Sequence, residues 1–232
     1  MISEIAVIGC GGTGSWLVPP LLRYLNSIKF NKDILLVDGD SYEINNLNRQ
    51  EFPSSLVGSN KAMVLTRVYQ QRYPDLKIKP VNEYIGENNK DDIFIDNSVI
   101  FSAIDNNKGR NIFINAALTV KNIALILPGN NKDDGDVQIL WRVNNKTISK
   151  NPIDLHPEIL SVEDGDRSKM SCEELSKIKG SEQIIFANLT AATVALTVFY
   201  NIYNCIENSK KINIPSEIFF DLNGTIVTPR YY

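Results

Sequence analysis

Gly9-Cys10-Gly11-Gly12-Thr13-Gly14 is the first stretch of this chain with an evident chemical use. It lies between an apolar, β-branched run at 5–8, which reads as a buried strand, and Ser15-Trp16-Leu17-Val18, which opens a helix. Gly9, Gly11, Gly12 and Gly14 allow the backbone to approach a phosphate closely and to take positive φ. The helix that follows offers unpaired N–H groups and a partial positive charge to an anion. Asp38 and Asp40 come at the end of a second apolar run, 34–37, where a carboxylate can accept from ribose hydroxyls. This much implies a bound nucleotide and no particular reaction.

A second group of residues narrows the chemistry. Asn46, Arg49 and Gln50 follow the acidic pair closely, Lys61 lies in the first turn of the next expected helix, and Asp105 ends a later core strand. A phosphate-binding turn, an arginine, a lysine and a suitably placed aspartate together make a site for ATP with magnesium. The two cations would neutralise a departing pyrophosphate, and the aspartate would hold the metal. An NAD-linked oxidoreductase would use the glycine turn and Asp38 but would leave Arg49, Lys61 and Asp105 unexplained.

These side chains need a scaffold, and the hydrophobic pattern supplies one. Strands are expected at 5–8, 34–37, 76–81, 99–103, 123–127 and 137–143, with helices from 15, over 59–73 and over 111–120. The first helix is expected to kink or restart at Pro19-Pro20. Alternation of strand and helix implies crossover units and a mostly parallel sheet. Residues 145–171 read as a long mobile loop. A short helix near Glu173, a long one from about Gln183 and a hairpin turning at Asn223-Gly224 complete the chain. The expected fold is therefore α/β: a Rossmann-like, mostly parallel sheet flanked by helices, with a C-terminal antiparallel extension. One domain is expected over 1–232, with its nucleotide-binding core at 1–127 and helices plus hairpin at 172–232.

Composition removes several classes. The 24 Lys and Arg against 27 Asp and Glu give a formal charge of −3, which disfavours a nucleic-acid partner held by net charge. Cys10, Cys172 and Cys205 form no Cys-x-x-Cys pair, and His156 is the only histidine, so a structural zinc site lacks its usual ligands. His156 stands beside Pro157 with no nucleophile–acid pair in the sequence around it and reads as non-catalytic. The stretch 184–206 carries no charge, but Thr190, Thr193, Thr197, Asn201 and Asn204 lay a polar seam along it. It reads as a packed helix rather than a membrane span. No basic leader precedes the first strand, so a reducing, cytoplasmic location is the expectation.

The motifs Gly9–Ser15, Asp38-Gly39-Asp40, Asn46-Leu47-Asn48-Arg49-Gln50, Val57-Gly58-Ser59-Asn60-Lys61 and Ala103-Ile104-Asp105-Asn106 resemble those of the ThiF/MoeB/HesA superfamily. These are adenylating enzymes related to ubiquitin-activating enzyme. The Gly-Cys-Gly-Gly start and the proline in the first helix are most similar to the compact PRTRC-type members of bacterial plasmids and phages. The resemblance implies attack of the C-terminal carboxylate of a small ubiquitin-like or ThiS-like protein, or of a peptide, on the α-phosphorus of ATP. It implies that Asp38 binds the ribose, with Asp40 beside it. It further implies that Asn46, Arg49 and Lys61 contact the phosphates and that Asp105 binds magnesium. Gly9, Gly11, Gly12, Thr13, Gly14, Gln50 and Asn106 complete the matched nucleotide-binding set. A homodimer is implied too.

Three departures qualify the resemblance. The arginine that dimeric relatives supply from an N-terminal extension has no counterpart, so another arginine must serve or the reaction is slow. The paired Cys-x-x-Cys zinc ligands are missing, and so is a separate acyl-accepting domain. Cys172 falls where some relatives carry a cysteine that takes the acyl group as a thioester, although Glu173 and Glu174 oppose a thiolate there. A nucleotide-binding adaptor that has lost turnover is the alternative within the same fold.

Overall fold

Strand β1 (Glu4–Ile8) is buried along its whole length, so it needs cover on both faces. Alternation supplies two interfaces. Ile5 and Val7 join one apolar cluster, and Ala6 and Ile8 join another on the opposite side of the sheet. The computed structural model describes residues 1–48, 50, 52–160 and 184–232.

In chain order the elements are β1, α1 (Gly12–Ser27), β2 (Asp33–Val37), α2 (Lys61–Arg72), β3 (Lys77–Val81), β4 (Ser98–Ser102), α3 (Asn107–Thr119), β5 (Ile123–Asn130) and β6 (Asp134–Val143). Then come β7 (Lys146–Thr147), α4 (Pro152–Leu155), α5 (Ile185–Glu207), β8 (Glu217–Asp221) and β9 (Ile226–Arg230). The described strands form one nine-stranded sheet in the order β3-β2-β1-β4-β5-β6-β8-β9, with β7 paired to β6. Pairing is parallel from β3 through β5 and antiparallel from β5 through β9. The fold is thus the expected Rossmann-like α/β sheet with a C-terminal antiparallel extension. Strand order reverses between the parallel neighbours β1 and β4, the place where such sheets bind ligands at their carboxyl ends.

α1, α2 and α5 cover one face, through Leu17, Leu21, Ala62, Leu65, Ala195 and Phe199. α3 and the 152–160 connector cover the other, through Phe113, Ile114, Ala117 and Ile159. α5 is long and apolar enough to cross a membrane, but it packs against α1 and β5 and buries ten residues, among them Ala187, Asn188, Ala191 and Ile202. That is the packed helix its polar seam suggested.

Three expectations change. α1 does not restart at Pro19-Pro20 but runs through both prolines. Its buried stripe of Leu17, Val18, Leu21, Leu22 and Leu25 outweighs the backbone donors that the prolines remove. α3 begins four residues before the expected Asn111, because Asn106 caps it by accepting from the Gly109 N–H at 2.7 Å. The expected mobile loop at 145–171 is built structure over its first part. β7, α4 and a 3-10 turn at Pro157–Leu160 occupy it, with Pro152 and Ile159 buried. Its remainder and the short helix expected near Glu173 lie outside the described residues.

Glu4 carries a pH dependence that can be measured. It is buried opposite Asp33 in the parallel register, and its Oε1 has no hydrogen-bond partner. Burial first, then the Asp33 charge, pushes its carboxyl up from 4.5 to about 7, while Lys79 opposes the rise. The folded chain therefore holds this proton more tightly than the unfolded chain. The stability it confers is complete below 4.5 and is lost as pH rises to about 7. Glu4→Gln is expected to raise stability by about 1–2 kcal/mol at roughly pH 8 and to flatten that slope, allowing for solvent screening. Urea melts of both proteins across this range check it, and parallel slopes would show that Glu4 titrates normally.

Candidate functional site

The glycine turn leaves β1 at Gly9, whose φ of +91° suits glycine alone. A Cβ on Gly9 would also lie 2.7 Å from the Ala103 carbonyl oxygen, so the turn rests directly on the end of β4. Gly14 packs as closely: a Cβ there would be 2.9 Å from the Gly9 carbonyl carbon and nearer still to its oxygen. These approaches put the start of α1 against the strand ends, and no acidic residue occupies its first turn. The result is one wall of a cleft of about 670 Å³, which the ends of β1, β2, β4 and β5 share.

Asp38 closes β2 and is buried. Its Oδ2 accepts from the Cys10 N–H at 2.7 Å, and its Oδ1 from the Asp40 N–H at 2.8 Å. Burial raises its pKa, while Lys61 and the two backbone donors pull it down. Asp38 thus braces the glycine turn as well as lining the cleft. Lys61, the first residue of α2, is only 3% exposed, and its Nζ lies 3.3 Å from Asp40 Oδ2. The Tyr84 hydroxyl donates to the other Asp40 oxygen, and the Tyr84 ring lies over Gly39, 2.6 Å from where a Cβ would stand. Asn60 ties these parts together. Its Oδ1 caps α2 through the Met63 N–H at 3.0 Å, and its Nδ2 donates to the Asp38 and Asp40 carbonyls at 2.7 and 3.0 Å.

Across the cleft, Asp105 is exposed at the end of β4, and Asn106 beside it caps α3. Gln50 reaches the wall next to Gly11 and is buried, with its Oε1 unpartnered. Asn46 does not reach the wall. It is buried behind it, where its Oδ1 accepts from the Glu43 N–H at 3.0 Å and its Nδ2 has no partner. Of the residues expected in the site, Gly9, Gly11, Gly12, Thr13, Asp38, Asp40, Gln50, Lys61, Asp105 and Asn106 line the cleft, and Gly14 and Asn46 support it. Arg49 and Cys172 lie outside the described residues.

Arg110 is the main omission from the sequence reading. It projects from α3 into the cleft wall at 9% exposure, and its Nη2 donates to the Pro128 carbonyl at 3.2 Å. Burial lowers its pKa, and Asp136 and Asp105 hold it up, so it remains a cation at any ordinary pH. Its position five residues after Asp105 was the only signal available. Asn130 and Asn188 are further omissions: the hydroxyl of the expected Thr13 lies 3.1 Å from both Asn130 Oδ1 and Asn188 Oδ1, linking α1, β5 and α5. Cys10 is fully buried, and burial pushes its thiol well above the usual range, with Asp38 adding to the rise. It is no thiolate nucleophile. Cys205 is half-buried, with its Sγ 3.8 Å from the Ile212 carbonyl.

The cleft fits a nucleoside triphosphate with a divalent cation on its own features. A turn too tight for side chains and a helix start free of acids suit phosphate oxygens. Lys61 and Arg110 supply buried positive charge, and the unpartnered Gln50 Oε1 can accept a hydrogen bond. Asp105 supplies an accessible carboxylate for a metal.

Solved structures share this fold. PaaA superposes with a TM-score of 0.70 at 20% identity, over 99% of this chain and 64% of that one. E. coli MccB solved with ATP gives 0.65 at 17% identity, over 99% and 63%. Among curated proteins, the NEDD8-activating enzyme E1 catalytic subunit of Saccharomyces cerevisiae is 35% identical over 79 residues, 34% of this chain and 25% of that protein. The tRNA threonylcarbamoyladenosine dehydratase of Haemophilus influenzae is 32% identical over 108 residues, 46% of this chain and 40% of that protein. The matches thus span between a quarter and two fifths of these curated relatives, and just under two thirds of the similar structures. The ThiF family itself matches residues 2–224, almost the whole length, and this chain belongs to the ThiF family.

Proposed function

We propose that this protein is an ATP-dependent adenylyltransferase that activates the C-terminal carboxylate of a small ubiquitin-like or ThiS-like protein, or of a peptide. The observation that carries this reading is the meeting of the glycine turn, Lys61 and Asp105 on one cleft at the carboxyl ends of the parallel strands. A carboxylate oxygen would attack the α-phosphorus of ATP, and the bond from that phosphorus to the β-phosphate bridge would break. The products would be an acyl-adenylate and pyrophosphate. No protein nucleophile is required. The chain's task is to hold the triphosphate, exclude water and offset the growing charge on the leaving group. Lys61 and Arg110 supply cations from within the wall, and Arg49 is a third candidate. Magnesium would enter with ATP and withdraw charge from its phosphates, with Asp105 as the protein group that would hold it. Asp38 uses one lone pair on each carboxylate oxygen for its two backbone donors and keeps the other on each for ribose hydroxyls.

The wider reading rests on the relatives. MccB has been solved with ATP and with MccA, and a NEDD8-activating enzyme subunit shares the strongest local identity quoted above, which supports ATP and a modifier-like partner. The dehydratase relative names a tRNA nucleoside instead, but a chain of formal charge −3 is a poor match to a phosphate-rich partner. The reading includes one domain over 1–232, PRTRC-type affinity, a homodimer in the cytoplasm and a thioester on Cys172 as one fate of the acyl group.

Calorimetric titration with Mg·ATP, and separately with NAD, tests the reading. Mg·ATP is expected to bind, and Asp105→Ala to weaken it by about 10–100-fold, as loss of a charged metal or phosphate contact does. Binding of NAD without a response to ATP, or unchanged ATP affinity in Asp105→Ala, would overturn it.

A further inference from the structure

A second cavity, of about 550 Å³, adjoins the nucleotide cleft and shares Arg110, Gly135 and Asp136 with it. His156 stands in its wall, just after α4. The ring lies between two carboxylates: Nδ1 is 2.9 Å from Glu158 Oε1, and Nε2 contacts Glu217 Oε1. A neutral imidazole can donate to only one of them, and its other nitrogen then turns a lone pair toward an anion. Only a second proton or a cation at Nε2 makes this arrangement favourable. Glu217 is 1% exposed, so water does little to relieve it. Asp136 brings a further carboxylate, and the ligating atoms of Asp136, His156 and Glu217 all lie within 4.8 Å of one another.

Gln138 provides an independent sign. It is the register partner of Glu217 across β6 and β8, and it is 3% exposed. Its Nε2 donates to Asp136 Oδ2 at 2.7 Å, which places the amide at the cluster, and its Oε1 is buried with no partner. An unsatisfied buried carbonyl oxygen, on a side chain that lines the same cavity and is tied to Asp136, is a donor that a cation there would satisfy.

We propose that Asp136, His156 and Glu217, with the Gln138 carbonyl oxygen, bind one divalent transition-metal ion, separate from any magnesium that accompanies ATP. Imidazole with oxygen donors selects zinc, manganese or iron over magnesium or calcium. Glu158 on Nδ1 is the outer carboxylate that fixes the tautomer and leaves Nε2 for the metal. The ion would clip the 152–160 connector to β6 and β8, at the edge of the nucleotide cleft. The expectation that zinc lacks its usual ligands rested on missing cysteine pairs and a single histidine, and a site of one imidazole with oxygen donors escapes that reasoning. The proposal does not depend on the adenylation reading.

The test uses the full chain with Cys172→Ser and Cys205→Ser, which removes competing thiols. After chelator treatment it is dialysed against zinc without nucleotide, and bound metal is measured by elemental analysis. One zinc per chain and a raised melting temperature are expected. Glu217→Gln should lose both. His156→Ala should weaken binding at least ~100-fold, and Glu158→Gln, which leaves the ligands in place, by about 10-fold. Asp105→Ala should bind zinc as the parent does. No retained zinc in the parent, or equal retention and equal thermal shift in Glu217→Gln and Glu158→Gln, would overturn the site and leave an imidazolium–carboxylate ion pair. Those two conservative variants keep the test decisive if His156→Ala fails to fold.

Discussion

Lys61→Met is expected to weaken Mg·ATP binding by about 10–100-fold while the protein stays folded, because a buried cation facing phosphate contributes roughly 1.5–3 kcal/mol. Two features of the site make the loss large. Lys61 is almost fully buried, so no water replaces its charge. It also holds down the pKa of Asp38, which burial alone pushes up, and without it that carboxyl protonates more readily and accepts more weakly. The fold should tolerate the change because the partner left behind, Asp40, is 44% exposed and keeps water and the Tyr84 hydroxyl. The structural cost of losing such a half-solvated pair is about 1 kcal/mol. Calorimetry for affinity and thermal melting for stability separate the two effects. Equal ATP affinity in Lys61→Met and wild type would remove Lys61 from the phosphate site, and with it the main reason to prefer ATP to a dinucleotide. A large fall in melting temperature with little loss of affinity would make Lys61 a structural partner of Asp40 only.

How far the site could be read from sequence follows from what each part depends on. The turn from β1 into α1 was legible because glycines between an apolar run and a helix have few other uses, and Asp38 and Asp105 because they end core strands. The parallel core followed from alternation alone. Arg110 was not legible. Position 110 falls just before the helix expected at 111–120, where an arginine ordinarily faces solvent, and only the packing of β5 and β6 against α3 brings Pro128 and Asp136 around it. Asn60 shows the same limit on a smaller scale. Its cap on α2 is a local bond, and it starts the helix two residues after the expected position 59, whereas its bonds to the Asp38 and Asp40 carbonyls join segments about twenty residues apart. The Asp136–His156–Glu217 cluster is the extreme case, since its members meet only once β6 has paired with β8. The connector at 145–160 misled for a related reason. Its prolines and polar residues look like loop, yet Asn151 caps a short helix and Ile159 finds the core beneath α3. Pro19-Pro20 misled in the opposite direction, because a local rule about donors lost to a buried stripe that extends well beyond the prolines.

Gly14→Ala is expected to cost about 3 kcal/mol or more, the largest stability effect among the glycines of the cleft. The added methyl would meet the Gly9 carbonyl, which is backbone and cannot rotate away as a side chain could. Gly9 cannot retreat either. Its N–H is bonded to the Val37 carbonyl at 2.8 Å, and the Ala103 carbonyl just past β4 leaves no room even for a Cβ on its other side. The strain must therefore pass into α1 or into the strand ends, and both carry the cleft. For a chain of this size the loss corresponds to a fall in melting temperature of about 6–12 °C. Mg·ATP affinity should fall with it, since the N–H groups at the start of α1 would move off the phosphates. Two other glycines calibrate the result. Gly58 has a φ of +86° but open space around it, so Gly58→Ala should show the conformational penalty alone, about 1 kcal/mol. Gly86 has open space and no positive φ, so Gly86→Ala should stay within about 0.5 kcal/mol of wild type. The expected order of destabilisation is thus 14, then 58, then 86. If Gly14→Ala melted with Gly86→Ala, α1 would not approach β1 as closely as described, and the anion-binding turn would lose its physical basis.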